Sequence, residues 1–209
     1  MVGLYGSRRS LVKNFPTRYT ACLMGDRPFR IVHREVLYRG RVVRMTKDTI
    51  RWRDGHTFQR EVIHHPKSVV LLPILPDGRV VLIRQFRAAI ERFIYEIPAG
   101  TTEPGEGLLT CCRRELAEET GYRAARFDRL CWFFPAPGVS TEEMSLYRAR
   151  GLTKLRRPPP KDRDELITPF LVTAAEAVRM IRTGRIIDAK SILGILWGLG
   201  AVNFTRAHG

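Results

Sequence analysis

Residues 100–122, "GTTEPGEGLLTCCRRELAEETGY", place five glutamates in one short stretch of a chain that is otherwise strongly basic. The periodicity predicts a helix from about Leu108 to about Thr120, with Gly121 as its C-terminal stop. On that helix Glu115, Glu118 and Glu119 fall at i, i+3 and i+4 and share a face, beside an apolar stripe of Leu109, Cys112 and Leu116. The acidic face is expected to be wet and the apolar stripe to be pinned to a core. Three like charges this close repel one another by a few tenths of a kcal/mol per exposed pair, so something cationic should compensate them. One candidate is a solvated helix face with Arg113 and Arg114 as partners. The other is a hard divalent cation, which takes oxygen ligands and binds typically through one or two carboxylates, water and substrate phosphates. Several carboxylates on one helical turn suit such ions bridging a pyrophosphate.

Working outward, "SVVLLPILPDGRVVLIRQF" (68–86) reads as two nearly continuous apolar runs joined at Asp77-Gly78, a hairpin with strands buried on both faces. Residues 31–63 alternate apolar and polar side chains with a turn at Asp54-Gly55, which predicts a small antiparallel sheet. "FIYEIPAG" (93–100) is a further short strand leading into the acidic stretch. Downstream, "RLCWFFPAPGVS" (129–140) and "EMSLYRARGL" (143–152) read as two strands around a Pro/Gly loop. "RRPPPKDRDE" (156–165) is a polar, proline-rich loop, "TPFLVTAAEAVRMIRTGRI" (168–186) a strand and an amphipathic helix stopped by Gly184, and "SILGILWGLGAV" (191–202) a last apolar helix. Strands and helices mix irregularly, without βαβ alternation or internal repeat, so the class is α/β of the α+β type.

At 209 residues and 44% hydrophobic, the chain can bury a core and fits one domain, or one domain plus a small appendage. Its net charge of +15 points to an anionic partner. The basic residues are spread along the chain without the block of five or six that a nucleic-acid arm would show, so nucleic acid is an unlikely partner. Cys22, Cys111, Cys112 and Cys131 have neither CxxC nor disulfide-framework spacing, which argues against zinc and fits a reducing cytoplasm. No signal-like run opens the sequence and no stretch approaches the roughly 18 apolar residues of a spanning helix, so a soluble protein is expected.

The stretch that opened this reading resembles the Nudix box, G-x5-E-x7-R-E-U-x-E-E-x-G-U. Gly100, Glu106, Arg114, Glu115, Leu116, Glu118, Glu119 and Gly121 fall in register, and Tyr122 stands where an aliphatic residue is usual. That last site is a packing position. The resemblance implies a Nudix fold, a mixed β-sheet between helices, that hydrolyses a nucleoside diphosphate linked to another moiety. It implies Mg²⁺ or Mn²⁺ held mainly by Glu115, Glu118 and Glu119, with Arg114 orienting these acids and Glu106 closing the loop–helix–loop.

The flanks resemble the ADP-ribose pyrophosphatase branch of that family. "RQFRAAIERFIYEIPAG" matches its strand and its E-x-P-A-G entry to the box, implying that Arg87 contacts substrate and that the Ala99 carbonyl can ligate metal. "REVIHHPKSVVLLPI" matches too, implying that Arg60 helps hold the nucleotide across a dimer interface. In "PAPGVSTEEMSLYRA" the segment after the box would put Glu142 near the substrate pocket. The loop "KDRDELI" aligns Glu165 with the last glutamate of an acidic element, while Arg163 stands where another glutamate is usual; the base that deprotonates water is then Glu165 or a box glutamate, Glu119 foremost. Trp132, Phe133 and Phe134 could stack an adenine but at strand spacing read first as core.

The expected arrangement is residues 1–60 as an N-terminal β subdomain used for dimerisation and residues 61–209 as the hydrolase domain of a homodimer. The expected reaction is ADP-ribose plus water to AMP plus ribose 5-phosphate. GDP-mannose, NADH or a diadenosine polyphosphate are alternative substrates. A non-catalytic nucleotide- or nucleic-acid-binding domain is the rival from another class; it would have no need of an intact acid trio, which this chain has.

Overall fold

A computed structural model describes residues 28–160 and 166–200. Three strands open the described chain: β1 (Phe29–Arg39), β2 (Arg44–Trp52) and β3 (Thr57–His64) form an antiparallel sheet in the order β1-β2-β3. This is the small sheet expected from the alternation over 31–63. On β2 the buried face carries Thr46, Asp48 and Ile50, two of them polar. Asp48 is reconciled to burial by Arg34, directly opposite on β1, whose Nε and Nη2 donate to its two oxygens at 2.7 and 2.6 Å.

The body of the fold is built on β4 (Ser68–Pro73), every residue of which is buried. It pairs in parallel with β10 (Met144–Arg150) and antiparallel with β7 (Ala99–Thr101), and β9 (Arg126–Phe133) closes the far edge, giving the order β7-β4-β10-β9. A strand buried on both faces has two cores to serve, and its alternate residues divide between them. Val69 and Leu71 pack with Cys111, Cys112 and Leu116 of helix α1 (Leu108–Thr120). Val70 and Leu72 pack with Met180 of α2 (Ala174–Arg182) and Ile195 of α3 (Ala189–Gly198). A mixed sheet therefore lies between α1 on one side and α2 and α3 on the other. At about 1.5–3 kcal/mol for each fully buried Val or Leu, these side chains anchor the domain.

The expected hairpin of β4 and β5 (Val80–Arg87) is corrected. The turn is there, with Leu75 N donating to Arg79 O and Gly78 N to Leu75 O, but beyond the bridge between Ile74 and Val80 the arms part. β5 joins a second sheet, β12-β5-β6, with β6 (Arg92–Glu96) and β12 (Ile167–Val172), both antiparallel to it. Two strands each buried on both faces need more partners than one another, and each finds them elsewhere. The remaining strands, β8 (Tyr122–Arg123) and β11 (Thr153–Lys154), pair as a short ribbon behind α1.

Helix α1 matches the expected span, with Gly121 at φ 73° closing it as Gly121 N donates to Ala117 O. Helix α3 begins two residues before the expected Ser191, because Asp188 caps it by accepting from Ser191 N at 3.0 Å. Leu109, assigned to the apolar stripe, is exposed; Cys111 takes its place in the core beside Cys112 and Leu116. Trp132 and Phe134, expected in the core, are exposed and meet edge to face at 5.4 Å, leaving Phe133 to pack inward. Cys111, Cys112 and Cys131 are free, buried thiols.

Arg34→Gln is expected to lower stability by about 1–3 kcal/mol, because the Asp48 carboxylate stays buried without its guanidinium. The Arg34 hydrogen bonds hold the Asp48 carboxyl below its ordinary value of 3.8. That contribution is complete above the unfolded-state value and is lost as pH falls through the lower folded-state one. Melting curves between pH 2 and 7 should show the wild type and Arg34→Gln converging at the acid end.

Candidate active site

The site is assembled where β7 runs into α1. β7 pairs with β4, placing Thr101, Gly100 and Ala99 opposite Ser68, Val69 and Val70, and α1 packs across the same strand. The close approach is set by Gly100: a Cβ there would lie 1.8 Å from Cδ of Glu115, so the space a side chain would fill is occupied by a carboxylate.

Arg114 organises the acids. Its Nε donates to Glu106 Oε1 at 3.0 Å and its Nη2 to Glu106 Oε2 at 2.9 Å, a two-pronged pair. Nη2 also donates to the Thr101 carbonyl at 3.0 Å, and Nη1 donates to Glu115 Oε1 at 2.7 Å and Glu118 Oε2 at 3.2 Å. One guanidinium thus ties the strand, the loop and the helix together. Glu106 in turn accepts from Glu103 N at 3.0 Å, closing the loop as expected. The Arg114 hydrogen bonds, opposed in part by burial, hold the Glu106 carboxyl below its usual range, so it stays ionised.

The three acids of the expected trio are not equivalent. Glu118 is the most open, with a side chain 31% exposed, against 12% for Glu115. Glu119 is 2% exposed, so the expectation of a uniformly wet acidic face is corrected. It lies against β7, where its Oε2 accepts from Ala99 N at 3.0 Å. That bond brings Ala99 and Glu119 together.

Of the expected substrate residues, Arg87 ends β5 and donates through Nε and Nη2 to the two oxygens of Glu96, both at 2.6 Å. Glu119 and Asp188 add to the field that keeps Arg87 protonated, so the guanidinium stands within electrostatic reach of the box. Glu142 lies just ahead of β10; its Oε1 accepts from Ser68 Oγ at 2.7 Å, and Ser68 faces Thr101 across the ladder. Arg60 sits on β3 with its guanidinium 4.6 Å from the Phe58 ring centre and Nη1 donating to Gln59 O at 2.8 Å, engaged with its own sheet. Glu165 and its neighbours Asp162, Arg163 and Asp164 lie outside the described residues.

Sequence reading missed Glu96 and the residues behind it, Asp188, Lys190 and Ser191. The available signal was a charged residue inside the apolar strand "FIYEI", which burial permits only with partners. Cysteine chemistry contributes nothing here: burial pushes the Cys112 thiol up to about 12 and Cys111 higher, so neither is a thiolate nucleophile or soft ligand.

The donor set suits a hard cation: carboxylates on one helical face, one of them seated against Gly100, and a carbonyl-bearing strand alongside. Among the described residues no three acidic, histidine or cysteine side chains already converge on one point. Mg²⁺ does not require that, since it is bound through one or two carboxylates and completes its shell with water and phosphate oxygens.

Comparison with known proteins agrees with the geometry. The family model for the NUDIX domain matches residues 64–193. The chain is 31% identical over 166 residues to an ADP-ribose pyrophosphatase of Bacillus subtilis (strain 168), covering 79% of this chain and 90% of that protein. It is 30% identical over 174 residues to an ADP-ribose pyrophosphatase of Mycobacterium tuberculosis, covering 83% and 84%. It is also 34% identical over 166 residues to a methanol dehydrogenase activator of Bacillus methanolicus, covering 79% and 90%. A crystal structure of an ADP compounds hydrolase superimposes with a TM-score of 0.72 over 84% of this chain and 98% of that one; at 22% identity this likeness speaks for the fold. The register of the box, the Arg114 clamp that makes it a structural unit, and a family match across more than half of the chain place this protein among the Nudix hydrolases.

Proposed function

We propose that this chain is a Mg²⁺-dependent nucleoside diphosphate-sugar pyrophosphatase, with Mn²⁺ as a substitute ion, and that ADP-ribose is its preferred substrate. The observation that carries the reading is the row Glu115, Glu118 and Glu119 beside Gly100, the first two tied by Arg114 and the third by Ala99 N. The resemblance of the flanks to ADP-ribose pyrophosphatases selects the substrate.

Glu115, Glu118, Glu119 and the Ala99 carbonyl would hold the ion. When bound, it supplies charge stabilisation to the phosphoryl oxygens and acidifies the attacking water. Arg87, gripped along one edge by Glu96, offers its remaining N–H donors to phosphate oxygens, where the planar guanidinium suits two-point contact. Glu142, fixed by Ser68, would stand near the substrate pocket. A carboxylate, Glu119 or Glu165, takes a proton from water as its oxygen bonds to phosphorus. The anhydride P–O bond breaks, and AMP and ribose 5-phosphate leave with the electron pair on the departing phosphate. Arg114 does not touch substrate in this scheme; it sets the spacing of the acids.

The same proposal gives the β1–β3 sheet, preceding the matched region, a role in forming a homodimer, with a boundary near residue 60. Ile31, Val32, Val36, Leu37 and Tyr38 on β1 are all exposed in one protomer, more apolar surface than an isolated three-stranded sheet sustains. A dimer would also bring Arg60 of one sheet to the partner's nucleotide. Among the described residues no helix is long and apolar enough to cross a membrane, and the free buried thiols suit the cytoplasm as the place of action.

Initial rates on ADP-ribose, GDP-mannose, NADH and diadenosine polyphosphates, with Mg²⁺ and with Mn²⁺, test the reading; it fails if ADP-ribose is not hydrolysed or if chelation leaves the rate unchanged. Glu119→Gln keeps an acceptor for Ala99 N, so its melting temperature should stay within a few degrees while turnover falls about a thousandfold or more. Light scattering should give the mass of two 24.0 kDa chains, and Ile31→Lys should shift it to one.

A further inference from the structure

Helix α3 lies outside the box, yet its first residues reach Arg87 through a buried carboxylate. Glu96 is fully buried and accepts both Arg87 bonds. Its Oε2 also accepts from Lys190 Nζ, and Lys190, itself 8% exposed, stands 2.9 Å from Asp188 Oδ2. Ser191 Oγ donates to Asp188 and accepts from Ile97 N at 2.9 Å, so the chain of contacts returns to the residue next to Glu96. α3 is seated closely there: a Cβ on Gly194 would come within 2.4 Å of Ile97 Cδ1.

Two carboxylates and two cations balance, so Glu96 and Lys190 can be buried without leaving a net charge. Lys190 does more than match Asp188, because it also places a second cation on Glu96 beside Arg87. Arg87 faces Arg92 across the β5–β6 ladder, whereas Glu96 faces Ile83 at the other end. The Arg87 side chain must therefore lie along the sheet to reach Glu96, and its orientation is only as fixed as that carboxylate. Glu96 is held a second time by Lys190, which shares Oε2 with Arg87 Nη2, while the Arg87 side chain keeps 37% exposure.

We infer that Lys190 is a positioning residue: by immobilising Glu96 it aims the exposed edge of Arg87 at the phosphates of a nucleoside diphosphate. This rests on the reading of Arg87 as a phosphate contact. A carboxylate that loses its second anchor samples more rotamers and takes Arg87 with it, and ordering them again on binding weakens affinity.

The test is calorimetric titration of the full-length protein with ADP in Mg²⁺, alongside melting temperatures. Arg87→Met should weaken ADP binding about tenfold or more, and Lys190→Met about five- to tenfold. The double variant Arg87→Met/Lys190→Met should bind no more weakly than Arg87→Met alone, because Lys190 acts only through Arg87. Ile195→Val, a core change in the same helix, should lower the melting temperature and leave ADP affinity unchanged. If Lys190→Met does not fold, the charge-balanced Lys190→Met/Asp188→Asn carries the same expectation. Unaltered affinity in the Lys190 variants, additive losses in the double variant, or a parallel loss in Ile195→Val overturns the inference while leaving Arg87 in place. Unaltered affinity in Arg87→Met overturns both it and the Arg87 reading.

Discussion

The Arg114 guanidinium is the contact on which the site depends. Helix α1 has no side-chain cap at Gly107, no acid in its first turn and no base in its last. Instead Glu118 and Glu119 sit in the last turn, where the helix dipole disfavours them. Left alone, such a helix would repel its own acids. Arg114 reverses the balance by joining Glu106, Glu115, Glu118 and the Thr101 carbonyl through one planar group. Lysine could not replace it, because a single ammonium cannot present two parallel donors to Glu106 while reaching the other partners.

The framework beneath is governed by β4. Its side chains divide between two cores, so the strand transmits the position of α1 to α3 and back. The Glu96 cluster lies on the same connection, since Ile97 packs in the α2–α3 core while Ala99, two residues on, holds Glu119.

Much of this was legible in the sequence, where local chemistry decided it. The α1 span, the Gly121 stop and the register of the acids follow from helical periodicity, and the N-terminal sheet from alternation with a turn at Asp54-Gly55. What was misread depended on tertiary choice. Nothing local tells whether two apolar strands flanking a tight turn pair with each other or with Met144–Arg150 and Ile167–Val172. Leu109 and Cys111 lie about 200° apart around the helix, on either side of Cys112, and only the placement of β4 makes Cys111 the buried one. Trp132 and Phe134 look like core because they are aromatic, yet Trp132 is on the edge strand of its sheet and Phe134 lies just past that strand's end. Glu96 was passed over because a buried charge is intelligible only with its partners, and Lys190 is 94 residues away.

The overlap between Gly100 and Glu115 reaches beyond geometry. The absent side chain of one residue and the carboxylate of the other occupy a single volume, so the two positions form one unit of inheritance. A side chain at 100 displaces the acid at 115 from the rotamer that meets Arg114. Shortening the acid to aspartate keeps its oxygens but draws them back from Arg114 Nη1, so a change at either position is felt at the other.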